Sequence, residues 1–73
     1  MKTYSVTYKN AYNNKVYIVA AENALQAVNC VQEVETCFDL RGNIYIPENW
    51  EFTAEVIEGV TAKKSGIKSK INL

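Results

Sequence analysis

From Lys2 to Lys9 the chain alternates. Tyr4, Val6 and Tyr8 fall on one face and Thr3, Ser5 and Thr7 on the other. A period of two is that of a half-buried strand. Asn10-Ala11-Tyr12-Asn13-Asn14 reads as a turn, because asparagine tolerates left-handed backbone and hydrogen-bonds its own turn. Lys15 to Ala20 is rich in β-branched and aromatic residues, so 2–9 and 15–20 are expected to pair as an antiparallel hairpin.

The period changes at residue 24. Ala24, Ala27, Val28, Val31, Val34 and Phe38 fall within an arc of about 120° at ~100° per residue, the stripe of an amphipathic helix, with Gln26, Asn29 and Glu33 opposite. Asn23 followed by Gln26 has the spacing of a capping box, so the helix is expected over about 23–37. Residues 38–49 show no clear period. Arg41-Gly42-Asn43 reads as a turn, Ile44-Tyr45-Ile46 as a short extended piece stopped by Pro47, and Pro47-Glu48-Asn49 as a second turn. Alternation returns from Trp50 to Ile57: Trp50, Phe52, Ala54 and Val56 one way, Glu51, Thr53 and Glu55 the other. Residues 62–73 read as a last edge strand, with lysines blunting further pairing, or as a frayed basic tail; the alternation of Ile67, Ser69, Ile71 and Leu73 favours the strand.

A helix joining the second strand to the third long strand crosses over one sheet face in the right-handed sense, which sets those strands parallel with the first between them. The expected fold is a single α+β domain over 1–73, of order ββαβ with extra short C-terminal strands allowed and the helix packed on one sheet face. Tyr4, Val6, Tyr8, Val16, Ile18, Phe52 and Val56 should meet the helix. Tyr17 and Val19 should then lie on the open face with Glu51 and Glu55.

Size limits what such a fold can do. A chain of 73 residues buries only about 60% of its unfolded surface, which leaves no room for a second domain or a deep pocket. There is no His, so the usual neutral-pH base and the usual zinc ligand are both missing. Cys30 and Cys37 lack a C-x-x-C spacing. On a helix reaching 37 they would sit about 10 Å apart along the axis at ~1.5 Å per residue, too far for a disulfide. They are expected as reduced thiols. Glu33 and Glu35 diverge on a helix, Glu51 and Glu55 face solvent, and no Gly-rich phosphate loop is present. The expectation is therefore no catalytic residue, no metal site, no cofactor and no enzymatic activity. The longest apolar run, Val16 to Ala21, is far short of a membrane span, and Met1-Lys2-Thr3-Tyr4 leads into no apolar signal region. A cytoplasmic protein without membrane association is expected.

Charge adds the most informative pattern. Residues 1–21 carry +3, residues 22–58 carry −7 (eight acids against Arg41), and residues 59–73 carry +4, a net of zero. Glu51 and Glu55, near Tyr17 and Val19, form a candidate acidic protein-binding patch suited to a basic partner. Lys63, Lys64, Lys68 and Lys70 form a candidate nucleic-acid contact, and Tyr4, Tyr8 and Tyr17 lie on strands, where aromatics can stack bases.

Two opening strands leading into Ala20-Ala21-Glu22-Asn23-Ala24-x-x-Ala27 make a pattern that resembles small ββα proteins of phages and mobile elements, such as the DpnD/PcfM-like group. The likeness covers residues 2–34, and the second half of the chain from Arg41 has no counterpart in it. It implies a small accessory or inhibitor protein and transfers no catalytic residue. The expected function is a non-enzymatic protein-binding module: an inhibitor of the anti-CRISPR type, carried by a phage or mobile element, that occupies a basic, nucleic-acid-binding surface of a host defence complex. The alternative is a nucleic-acid-binding accessory that uses the C-terminal lysines.

Overall fold

The computed structural model describes residues 1–46 and 49–73. In chain order these form β1 (Lys2–Lys9), β2 (Asn14–Ala21), α1 (Ala24–Val34), β3 (Cys37–Phe38), β4 (Ile44–Tyr45), β5 (Glu51–Thr61) and β6 (Gly66–Asn72). The fold is α+β, with one helix, a four-stranded sheet of order β5-β1-β2-β6 with antiparallel neighbours, and a separate two-stranded sheet β3-β4. Between the helix and the third long strand the chain inserts the β3-β4 hairpin, which the sequence pattern had not paired. The turn expected over Pro47-Glu48-Asn49 has its first two residues outside the described part.

Asn10 ends β1. Its side-chain carbonyl accepts from the backbone N–H of Tyr12 and of Asn13, both at 2.7 Å, and its own N–H donates to the Asn13 carbonyl at 2.9 Å. That closed turn fixes the hairpin register, with Tyr8 opposite Lys15, Val6 opposite Tyr17 and Tyr4 opposite Val19. Residues paired across a sheet share a face, so Tyr17 and Val19 lie with Tyr4, Val6 and Tyr8. All five belong to the buried cluster that also holds Ala27 and Val31 of α1. The sequence expectation had the opposite phase, with Val16 and Ile18 inward, and is corrected here. The run Val16-Tyr17-Ile18-Val19 is apolar on both faces, so alternation alone cannot give its phase; the turn does. Fully burying Val6, Val19 and Val31 stabilises the fold by roughly 1.5–3 kcal/mol each.

At the start of α1 the Asn23 side chain accepts from the Gln26 N–H at 2.8 Å, and the Gln26 side chain reaches back to the Glu22 N–H at 2.6 Å. The cap forms, one residue wider than the usual box. The helix stops at Val34, three residues before the expected end. Glu35 caps it by donating its N–H to the Val31 carbonyl, and the Thr36 hydroxyl bonds the Gln32 carbonyl at 2.7 Å. Val34 and Phe38, placed on the apolar stripe by periodicity, are instead exposed. Cys37 leaves the helix for β3, so helical spacing no longer separates it from Cys30; both thiols are free.

Phe52, Ala54 and Val56 of β5 lie opposite Tyr8, Val6 and Tyr4, and Phe52 packs against Tyr8 at a tilt and against Trp50 edge-on, with ring centroids 5.2 Å apart in each pair. The pairing then steps from Thr3–Ile57 to Lys2–Thr61, so residues 58–60 bulge and Gly59 takes a φ of +76°. The C-terminal segment is a strand, placed at the sheet edge beside β2. A register shift around Lys68 puts Ile67 opposite Val19, on the helix side, and Ile71 opposite Val16, on the open side. The link from β5 to β6 passes the end of β1, where Met1 and Ala62 exchange backbone hydrogen bonds at 3.0 and 3.1 Å.

Candidate functional site

The most distinctive surface is built by residues 34–46. Asp39 opens the turn between β3 and β4: its side chain accepts from the N–H of Arg41 at 2.8 Å and of Asn43 at 2.9 Å, while its backbone bonds Asn43 and Gly42. Gly42 takes a φ of +83°, a conformation that side chains disfavour. The donated N–H groups favour the ionised carboxylate and hold Asp39 below the ordinary carboxylate value. The loop is thus fixed by its own hydrogen bonds. On that hairpin the large apolar side chains face solvent: Phe38 is 63% exposed, Ile44 69%, Ile46 64%, and Leu40 is fully exposed. Single exposed apolar residues are ordinary on a protein surface; here several fall on one short hairpin.

The base of the hairpin is anchored by a polar cluster. The Glu35 carboxylate, 10% exposed, meets the Lys15 ammonium at 2.8 and 3.2 Å and accepts from the Tyr17 hydroxyl. Burial, and then the neighbouring Glu35 carboxylate, push the Tyr17 phenol well above its ordinary value. Tyr8 is raised too, chiefly by burial, although its hydroxyl accepts from the Asn10 amide at 2.6 Å. Two strand residues on β2 therefore hold the point at which the chain leaves α1 for β3.

Between α1 and the hairpin runs an open groove of about 460 Å³. Asn29, Gln32 and Glu33 line its helix side, Ile44 and Ile46 the hairpin side, and Trp50 also lines it. Trp50 is half-buried and packs against the core. A second dent of about 530 Å³ lies over Lys15, Tyr17, Glu35 and Lys70.

The structure separates the residues that the sequence had grouped. Glu51 and Glu55 are exposed on the open face of β5, opposite Lys9 and Ser5, whereas Tyr17 (4% exposed) and Val19 (0%) are core residues under the helix. The acidic patch therefore lacks these two members, a correction that follows from the phase of β2. Lys63 and Lys64 are exposed on the link, and Lys68 and Lys70 on β6, the edge opposite β5. Acids and lysines thus flank the sheet on opposite sides. Tyr4, Tyr8 and Tyr17 are all buried, so none of the three offers a face for base stacking. Among the described residues no group of three or more His, Cys, Asp or Glu side chains is arranged to hold a metal, and no helix is long and apolar enough to cross a membrane. Sequence reasoning missed the hairpin surface. Its signal was present as five large apolar residues on either side of Arg41-Gly42-Asn43 with no period that would bury them. No protein-family model matches the chain, and neither a curated protein nor a solved structure matches it.

Proposed function

We propose that the protein is a non-enzymatic binding module that docks on a basic surface of a partner protein through the β3-β4 hairpin. The single observation that carries this reading is the exposed apolar row on a hairpin whose loop is closed by Asp39. A rigid apolar anchor loses little conformational entropy on binding, and desolvating it supplies the affinity. Glu33 lines the groove beside Ile44 and Ile46, Asp39 sits in the hairpin loop, and Glu51 and Glu55 are exposed on β5; this negative charge speeds encounter with a positively charged partner. The role of an inhibitor carried by a phage or mobile element, acting by occupying a host complex's nucleic-acid-binding surface, rests on the resemblance of residues 2–34 and on this acidic, apolar docking face.

The test is affinity capture from lysate with three baits: the native protein, Phe38→Ser with Leu40→Ser, and a variant with Lys63, Lys64, Lys68 and Lys70 all changed to Gln. The expected result is one protein partner held by the native and lysine-variant baits and lost from the hairpin variant. Loss from the lysine variant alone, with nucleic acid in the captured material, would replace this reading by the nucleic-acid one.

A further inference from the structure

The groove between α1 and the hairpin has three walls of different chemistry. Asn29 and Gln32 bring carboxamides and Glu33 a carboxylate; Ile44 and Ile46 are aliphatic; Trp50 is an indole. Among the described residues Glu33 makes no ion pair and no side-chain hydrogen bond, so its charge is uncommitted. The only ion pair among those residues ties up Glu35, not Glu33. Such a set suits a side chain with an apolar stem and a planar cationic head. Methylenes would lie along the isoleucines, an indole attracts a cation placed over its face, and a carboxylate beside carboxamides matches the donor fork of a guanidinium. We infer that this groove is a receptor for an arginine side chain of the partner. The inference rests on the docking proposal above and names the group that docking would insert; the hairpin row supplies the apolar contact and the groove the charge recognition.

Trp50 is the only tryptophan in the chain, so its ring resonances give a single, unoverlapped probe of the groove wall, although its indole nitrogen is itself buried without a hydrogen-bond partner among the described residues. The probe is N-acetyl-arginine amide, with N-acetyl-citrulline amide as its uncharged isostere. Titrating the native protein should shift the Trp50 signal saturably with the arginine probe and leave it in place with the citrulline one. Glu33→Gln should weaken the arginine probe by about fivefold, the scale of one exposed charge pair, while circular dichroism stays unchanged. Equal shifts by both probes, no shift by either, or a titration indifferent to Glu33→Gln would overturn the inference. The two proposals fail separately. If the arginine probe leaves Trp50 unmoved while Phe38→Ser with Leu40→Ser still loses the partner, the groove assignment falls and hairpin docking stands. If the probe binds and the hairpin variant keeps its partner, the reverse holds.

Discussion

Glu35 is one residue at which three elements meet: it caps α1, precedes β3, and its carboxylate is held by two side chains of β2. Removing it leaves the Lys15 ammonium and the Tyr17 hydroxyl without that partner in a half-buried site. Glu35→Ala should therefore cost about 2 to 3 kcal/mol in urea unfolding, and Tyr17→Phe, which deletes one hydrogen bond to a charged acceptor, about 1 to 2 kcal/mol. Losses below about 0.5 kcal/mol for both would mean that the cluster is incidental. The raised tyrosines also set an alkaline limit. Tyr8 and Tyr17 are held neutral in the fold, so their contribution is complete below their unfolded value near 10 and declines as pH rises beyond it. Melting temperature should hold on approach to that value and fall above it; Tyr17→Phe should blunt the fall. Residue chemistry of this kind was not legible in the chain, because Glu35 and Tyr17 are eighteen positions apart and the phase of β2 that brings them together is set by the turn at Asn10.

The elements divide by how much the local pattern decides. β1 was readable because Tyr4, Val6 and Tyr8 alternate with Thr3, Ser5 and Thr7 and only one face is apolar. The start of α1 was readable because a capping side chain acts within three residues. Its end was not: Val34 and Phe38 continue the helical period, yet the helix stops at Glu35, whose carboxylate is held by Lys15 and Tyr17, residues distant in sequence. β6 shows a third case, in which alternation was visible but the shift at Lys68 moved Ile67 and Ile71 to opposite faces. The hairpin makes its own prediction. Asp39 is held below the ordinary carboxylate value by N–H donors of its loop, so its contribution to loop order is complete above the unfolded value of 3.8 and is lost as pH falls below it. Amide signals of Arg41 and Asn43 should keep their dispersion at pH 5 and lose it on acidification below about 4, and Asp39→Ala should show the loosened loop at neutral pH. An unchanged loop in that variant would assign its order to the strands alone.

Across the whole molecule, charge and apolar surface are sorted by side. β5 carries Glu51, Glu55 and Glu58 along one edge of the sheet and a bulge at 58–60; β6 carries Lys68 and Lys70 along the other with a register shift. Like charges and bulges at each edge discourage a strand from pairing with its own copy. The hairpin gathers Phe38, Leu40, Ile44, Tyr45 and Ile46 among the exposed apolar residues, while Tyr12, Leu25, Val60, Ile71 and Leu73 are exposed singly elsewhere. The α+β class was legible from two periods, of two and of 3.6 residues; the exposed apolar hairpin was not, because exposure is a property of what fails to pack and no local period records it.

The proposed docking role requires that Phe38 and Leu40 take no part in folding. Chemical unfolding of Phe38→Ser with Leu40→Ser tests it without knowledge of the partner. Both side chains face solvent, so the variant should match the native protein within about 0.5 kcal/mol with an unchanged slope. A loss of about 2 kcal/mol or more, the cost of removing buried apolar groups, would show that these residues belong to the core and would contradict the proposal.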